Sequence, residues 1–187
     1  PPFTGSYLRI ARFLILLCSV FITPVWLLAQ ENPAVIPQSL KFIVVEQEYN
    51  ISVFWQLIIL ELAIDGLRLA SLNTPTTLSG TMGIIGAIAL SEFSVDVGWF
   101  STQAILYMAF ATLASFTQPN YELGYCVKFI RILLLVLTSI FNIWGFIAGL
   151  IITAILLVTN KTISGKSYLY PLIPFNGKDF TLKLKKH

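Results

Sequence analysis

The chain alternates long apolar stretches with short polar breaks, a pattern that predicts five helical segments. The segments cover residues 8–28, 54–72, 78–97, 101–116 and 132–158. Charged residues are absent from four long intervals, which lie between Arg12 and Glu31, Arg68 and Glu92, Asp96 and Glu122, and Arg131 and Lys161. Each interval reaches or approaches the ~17–25 residues that a membrane helix needs. We therefore predict an all-α fold, a polytopic membrane bundle of four to five hydrophobic helices, one of them charged and amphipathic.

Composition supports a membrane protein. The chain is 56% hydrophobic and 11% charged, whereas soluble domains carry about 25% charged residues. We expect a transmembrane domain over residues 1–160, followed by a basic cytoplasmic tail over 161–187 that begins a C-terminal region. Because the chain starts at Pro1 rather than Met, we also expect a longer protein with more sequence upstream.

Segment 54–72 is apolar but carries Glu61, Asp65 and Arg68. On a helix these three residues fall within about 60° of one another. Charges at the bilayer centre are costly and usually face a protein interior or water. One interpretation is a water-filled cation path, because rings of acidic side chains select cations. The alternative is an internal ion pair between Asp65 and Arg68. Glu61 has no basic residue one turn away, which favours the path.

A second acidic stripe, Glu92 and Asp96, ends segment 78–97. These carboxylates either lie at the level of the lipid headgroups, which we favour, or line the same ion path.

Glycines at helical spacing allow close helix packing in lipid. The predicted packing glycines are Gly80, Gly83, Gly86, Gly145 and Gly149.

The distribution of positive charge bears on topology. If all five segments span the membrane, five basic residues face seven across it. If segment 54–72 does not fully span, eight face four, and both termini lie on the more positive side. The positive-inside rule favours the second arrangement, with both termini cytoplasmic. Segment 54–72 is then interfacial, re-entrant or buried in an assembly.

Catalytic motifs are missing. The single histidine is His187, and the sequence has no CxxC, HExxH or GxxxxGK[ST] pattern. We expect no enzyme activity, no cofactor, no metal and no nucleic-acid partner. Cys18 and Cys126 lie in or beside apolar segments, where buried free thiols are a better interpretation than a disulfide.

Five motifs occur in order along the chain. They are TGSYLRIAR from Thr4, ELAIDGLR from Glu61, NTP from Asn73, SFTQPNYEL from Ser115 and SYLYPLIPFN from Ser167. Together they resemble the membrane domain of the A subunits of GerA-type spore germinant receptors. The DGLR-to-NTP stretch and the PLIPFN ending resemble the stage V sporulation branch of this family more than the receptors proper.

The resemblance implies a role in endospore germination, in the inner membrane of the spore. It implies a homo-oligomer in contact with lipid and other germination membrane proteins, and a channel that releases monovalent cations. It also implies a soluble N-terminal domain upstream of Pro1. The family usually has Gln where this chain has Glu92, so ion selectivity is altered if that position faces a pore.

Two functions follow as hypotheses. The first is an oligomeric cation channel or channel component, and the second is a non-conducting membrane scaffold or partner subunit of a receptor complex. A scaffold buries Glu61 and Asp65 against basic partners, whereas a channel leaves them on a solvated axis. A secondary transporter ranks third because the chain shows no inverted repeat.

Overall fold

A computed structural model describes residues 2–73, 76–116 and 121–159. Within these residues it contains six α-helices and no strand, which confirms the predicted all-α fold. The helices are α1 (Pro2–Glu31), α2 (Val53–Asn73), α3 (Thr76–Ile88), α4 (Ser94–Asp96), α5 (Thr102–Phe116) and α6 (Tyr121–Thr159). The basic tail, residues 161–187, lies outside the described residues.

Helix α1 is longer than predicted and includes Pro24. It ends at Glu31, where the Asn32 amide bonds the carbonyls of Leu28 and Ala29, and Pro33 then begins a 3₁₀ turn. Proline fits the first position of such a turn because its missing N–H is not needed there. The helix therefore stops at the start of the proline-containing loop.

The loop after α1 is held against that helix by three hydrogen bonds. The indole Nε1 of Trp26 and the amide Nε2 of Gln30 both donate to the Ile43 carbonyl, each at 2.8 Å. The Val45 amide donates to Gln30 Oε1 at 2.9 Å. These bonds satisfy backbone groups that would otherwise lack partners, so the short apolar patch at 42–45 is fixed beside the end of α1.

The predicted segment 78–97 is not one regular helix. Helix α3 passes into a π-helical stretch, Ala89–Phe93, before α4. The hydroxyl of Ser91 bonds the Ala87 carbonyl at 2.7 Å, and that of Ser94 bonds the Leu90 carbonyl. Such back-bonding by serine bends helices, and π-bulges are frequent at functional sites.

The core lies between α1, α2, α5 and α6, which we call the framework. Its buried side chains form two clusters: Trp26, Leu27, Leu57, Leu60, Phe100, Ala104, Met108 and Leu135 in one, and Val20, Val127 and Leu134 in the other. Helix α3 packs mainly against α2, and its Ile84, Ile85 and Ile88 remain exposed. The framework is therefore one packed unit with α3 at its side.

Helix α6 does not form the single straight span predicted for 132–158. Asn142 has φ 56° and ψ −131°, which divides the helix. Gly145 lies against the Leu137 carbonyl, and a Cβ on Gly149 would come within 2.7 Å of Leu134. Residues eight apart are about 12 Å apart along a straight helix, so the contact of Gly145 with Leu137 requires the second arm to fold back on the first. We call this unit the α6 hairpin.

The bend is held by the end of α1. The side-chain amides of Asn32 and Asn142 bond each other in both directions, at 2.5 and 3.3 Å. Asparagine adopts positive φ more readily than most residues. Phe146 and Leu150 on the second arm then pack on Val20 and Val127.

Two described stretches are long and apolar enough to cross a membrane, Ile10–Glu31 and Leu123–Leu156. The arms of the α6 hairpin, 121–141 and 143–159, are about 31 and 25 Å long at 1.5 Å per residue. Both lengths are close to the ~30 Å hydrocarbon core of a bilayer.

Candidate functional site

An ion pair lies in the middle of the framework. Arg131 Nη2, on the first arm of α6, lies 2.5 Å from Glu61 Oε1 on α2. Both side chains are buried, with relative exposures of 3% and 5%. Removing two charges from water costs several kcal/mol per ion, so such a pair requires good geometry and further hydrogen bonds.

Arg131 obtains its further hydrogen bonds from α1. Its Nη1 donates to the Ser19 carbonyl at 3.2 Å and to the Ser19 hydroxyl at 3.1 Å. That hydroxyl donates in turn to the Ala111 carbonyl on α5, at 3.0 Å. One polar network therefore connects all four framework helices around a single guanidinium.

A second ion pair, between Lys128 and Asp65, lies one turn away. Glu61 and Asp65 are four residues apart on α2, while Lys128 and Arg131 are three apart on α6, so both pairs lie on facing stripes of the two helices. We call Glu61, Asp65, Lys128 and Arg131 the charge ladder. Together the four residues carry no net charge.

A small cleft of about 20 Å³ follows the charge ladder. Its lining includes the four ladder residues together with Arg68, Thr112, Ser115, Gly124 and Tyr125. Among the described protein groups, Glu61 Oε2 and Arg131 Nε have no hydrogen-bond partner although both atoms are buried. Glu61 and Arg131 therefore both line the cleft, while each keeps one polar atom enclosed by protein.

Sequence reasoning found the carboxylates but not their partners. The sequence offered an ion pair with Arg68 as one of two interpretations of Asp65; the structure brings Lys128 to Asp65 and Arg131 to Glu61. The sequence feature that indicates these basic partners is the pair Lys128 and Arg131, three residues apart at the start of a long apolar helix. Both residues precede the predicted fifth segment, which begins at residue 132. Ser19 carried no signal, because a single serine in an apolar helix is common.

The second acidic stripe lies elsewhere. Glu92 is in the π-helical stretch and Asp96 is at the end of α4. Both side chains are exposed, and neither lines the cleft. The structure therefore separates the five predicted ion-path residues into two sets. On α2, Glu61 is buried and Asp65 and Arg68 are half-buried, whereas Glu92 and Asp96 after α3 are exposed.

The predicted packing glycines differ in how closely other side chains and backbone approach them. Gly80 and Gly83 have open space where a Cβ would be, while Gly86 faces the side chain of Leu67 on α2. Gly145 and Gly149 are buried where the arms of the α6 hairpin meet.

Both cysteines are free and exposed on the helix surface. The expectation of free thiols is therefore confirmed, and the expectation of burial is wrong. Ser19, the next residue on α1, faces the core, whereas Cys18 does not. The alternation of burial at these two positions follows from the helix period.

Two long apolar helices around a buried charge network indicate an α-helical membrane protein. The family model described as Bacillus/Clostridium GerA spore germination protein matches residues 1–186. The chain belongs to this family.

Three relatives illustrate the match. The chain is 37% identical over 95% of its length to stage V sporulation protein AF of Bacillus subtilis (strain 168). It is 25% identical over 96% of its length to spore germination protein GerQA of Bacillus cereus. It is 23% identical over 90% of its length to spore germination protein A1 of Bacillus subtilis (strain 168). The predicted resemblance to the GerA family and its stage V sporulation branch is confirmed.

The chain spans about a third of the length of these relatives, 36%, 36% and 35% in the same order. Their names associate them with sporulation and spore germination, and none of these names denotes an enzyme. No solved structure matches the chain.

Proposed function

We propose that this chain is a membrane subunit that acts in endospore germination, as a component of an oligomeric channel that releases monovalent cations across the inner membrane of the spore. Its membership of the GerA family and the names of its relatives support the germination role. In this proposal the framework and α3 form a bundle of five membrane helices per subunit, of which α6 crosses the membrane twice. Lipid, further copies of the chain and other germination membrane proteins are its partners.

The observation that carries the channel proposal is the contrast between the two acidic sets. The charge ladder is neutral within one subunit, so the framework can lie in lipid without further partners. Glu92 and Asp96 are exposed at the end of a helix whose Gly80 and Gly83 are open to close approach. We therefore assign the ion path to α3, the π-helical stretch and α4 rather than to α2.

The assignment follows from what an exposed carboxylate needs at membrane depth. Acidic side chains in membrane segments usually face a bundle interior or a water-filled cavity. Repeating Glu92 and Asp96 around a symmetry axis gives rings of carboxylates, which attract cations. In this assignment Glu61, Asp65 and Arg68 stabilise the framework on which α3 packs, and they do not line the path.

A second candidate function is a non-conducting scaffold that holds receptor or partner subunits. The burial of Glu61 against Arg131 and the pairing of Asp65 with Lys128 favour it, since a scaffold buries these carboxylates against basic groups. The two functions differ in what the exposed carboxylates do. In a scaffold Glu92 and Asp96 only face headgroups.

Ion flux distinguishes the two functions. The full-length protein is reconstituted into potassium-loaded vesicles, and potassium release is measured for the wild type, for Glu92→Gln with Asp96→Asn, and for Glu48→Gln in the exposed loop as a matched control. The channel proposal predicts release by the wild type and the control and reduced release by the double variant. Release equal to that of protein-free vesicles, from every sample, supports the scaffold instead.

We further propose that both termini of the chain are cytoplasmic. The α6 hairpin crosses the membrane twice, so α1, α2, α3, α5 and its two arms make six crossings, and an even number puts both termini on one side. In this arrangement α2 spans the membrane, unlike in the four-span arrangement expected from the charge distribution. A cysteine introduced at Lys183→Cys should then react with a membrane-impermeant reagent only from the cytoplasmic side.

A further inference from the structure

Two neighbouring cavities lie at one end of the framework. The first, which we call the polar cavity, has a volume of about 480 Å³, and its lining includes Lys41, Glu46, Gln47, Thr102 and Gln103. The second, which we call the apolar groove, has a volume of about 400 Å³, and its lining includes Phe21, Val25, Trp26, Tyr107 and Phe110. Gln103 and Tyr107 are one turn apart on the same face of α5. A molecule that lies along this face can therefore reach both cavities.

The tryptophans indicate where this end of the framework lies in a membrane. Three of the four in the chain are exposed, namely Trp55, Trp99 and Trp144. They lie at the start of α2, just before α5 and beside the bend of α6. The Ser101 amide bonds the Gln56 side chain at 2.9 Å, which joins the starts of α5 and α2. Asn142 bonds Asn32, which joins the bend of α6 to the end of α1. Because exposed tryptophan concentrates where hydrocarbon meets water, the polar cavity lies at the level of the headgroups.

The apolar groove has the length of a lipid chain in one leaflet. Its lining on α1 extends from Ala29 back to Cys18, which is about 16 Å at 1.5 Å per residue. One leaflet contributes half of the ~30 Å hydrocarbon core of a bilayer. The ring centroids of Trp26 and Tyr107 are 5.0 Å apart, and the indole of Trp26 also bonds the Ile43 carbonyl. These contacts fix the floor of the groove, so the groove is preformed for an extended apolar chain.

The polar cavity carries one charge of each sign. Lys41 and Glu46 both line it, and both side chains are exposed. Its other polar side chains are neutral: Gln47, Tyr49, Thr102 and Gln103. Lysine binds phosphate as a point charge. A headgroup with only a phosphate would be repelled by Glu46, whereas a headgroup with a phosphate and an ammonium gives each of the two charged side chains a partner of opposite sign.

We propose that the polar cavity and the apolar groove together bind one phospholipid with a zwitterionic headgroup of phosphate and primary ammonium, as in phosphatidylethanolamine. The phosphate contacts Lys41, the ammonium contacts Glu46, and one acyl chain lies in the apolar groove. This site rests on the membrane bundle of the proposed function and not on conduction. A protein that binds the lipid and releases no potassium rejects the channel alone.

The occupancy of the apolar groove is measured by native mass spectrometry of the full-length protein in detergent, titrated with phosphatidylethanolamine. Val25 is exposed and lines the groove, so Val25→Trp fills it with an indole ring. Leu14→Trp is the matched control, because Leu14 is exposed on α1 and lies outside the groove lining. We expect the wild type and Leu14→Trp to retain one more lipid per chain than Val25→Trp. Equal retention by all three overturns the proposal.

Charge substitutions test the headgroup in the same titration. Lys41→Gln and Glu46→Gln should each weaken binding of phosphatidylethanolamine about two- to fivefold, the range for one exposed charge contact. Glu48→Gln is the matched control in the same loop, outside the cavity lining, and should leave binding unchanged. With phosphatidylglycerol, whose headgroup has a phosphate and no ammonium, Glu46→Gln should strengthen binding instead. Stronger binding of both lipids by Glu46→Gln overturns the proposal, because Glu46 then only repels phosphate, and so does unchanged binding of phosphatidylethanolamine by both charge variants.

Discussion

Glu61 and Arg131 lie 70 positions apart in the sequence and form the buried ion pair that joins α2 to α6. The free-energy cost of removing both charges from water offsets much of the attraction between them. Breaking a buried pair by removing one member usually costs more than replacing both members with apolar residues. This asymmetry gives the first prediction.

Arg131→Leu should lower the free energy of unfolding by about 3–5 kcal/mol, because Glu61 is left charged and buried without its partner. The double variant Glu61→Leu with Arg131→Leu should recover most of that loss. Thermal unfolding of the purified protein in detergent measures both. Additive losses in the double variant would show that the two side chains act independently.

The α6 hairpin predicts where cysteines are accessible. In a background with Cys18→Ser and Cys126→Ser, Leu123→Cys and Leu156→Cys should label from the same side of the membrane, and Ile143→Cys should label from the other. A straight helix would place 123 and 156 on opposite sides and 143 in the hydrocarbon core. Labelling of intact and inside-out vesicles with an impermeant maleimide distinguishes the two arrangements.

Asn142 should be sensitive to side-chain shape. Its φ of 56° disfavours residues that branch at Cβ, so Asn142→Val should destabilise the protein by about 1–3 kcal/mol. Asn142→Gly relieves the backbone strain and loses only the bonds to Asn32, so its cost should be smaller. Unfolding midpoints measure the order. A glycine variant less stable than the valine variant would contradict a strained bend at this position.

Gly145 should tolerate no side chain. A Cβ there would overlap the Leu137 carbonyl, and overpacking of this kind costs about 1–3 kcal/mol. We expect Gly145→Ala to unfold at a lower temperature than the wild type, with Gly80→Ala, which faces open space, as the matched control. The sequence predicts close helix packing at Gly145 and Gly149, and the structure places that packing within one chain. Equal midpoints in the two variants, with a smaller oligomer only for Gly145→Ala, would place the contact between subunits instead.

The helices were predictable because the charge-free intervals and the residues before proline mark where apolar helices begin and end. The bend at Asn142 was not, since an asparagine between Phe141 and Ile143 does not by itself interrupt a helix. Its conformation depends on Asn32, which is far away in the sequence. A contact of this kind follows from packing and not from local propensity.

Only part of the candidate site was predictable from the sequence: its carboxylates, but not the basic residues that pair with them. The carboxylates of α2 stood out against an apolar background, so their cost in lipid was evident. Which cation meets which carboxylate depends on how α2 and α6 are aligned. The spacing of Lys128 and Arg131 was consistent with that alignment, but nothing in the sequence selected it over a local pair with Arg68.

Potassium release from vesicles containing the full-length protein tests the central assignment most directly, when Glu92→Gln and Glu61→Gln are compared side by side. We expect Glu92→Gln to reduce release while the free energy of unfolding stays within about 0.5 kcal/mol of the wild-type value, as for an exposed residue. Glu61→Gln should lower the midpoint and leave release per folded oligomer unchanged. Reduced release by a fully stable Glu61→Gln variant, with Glu92→Gln unaffected, would contradict the account and return the ion path to α2.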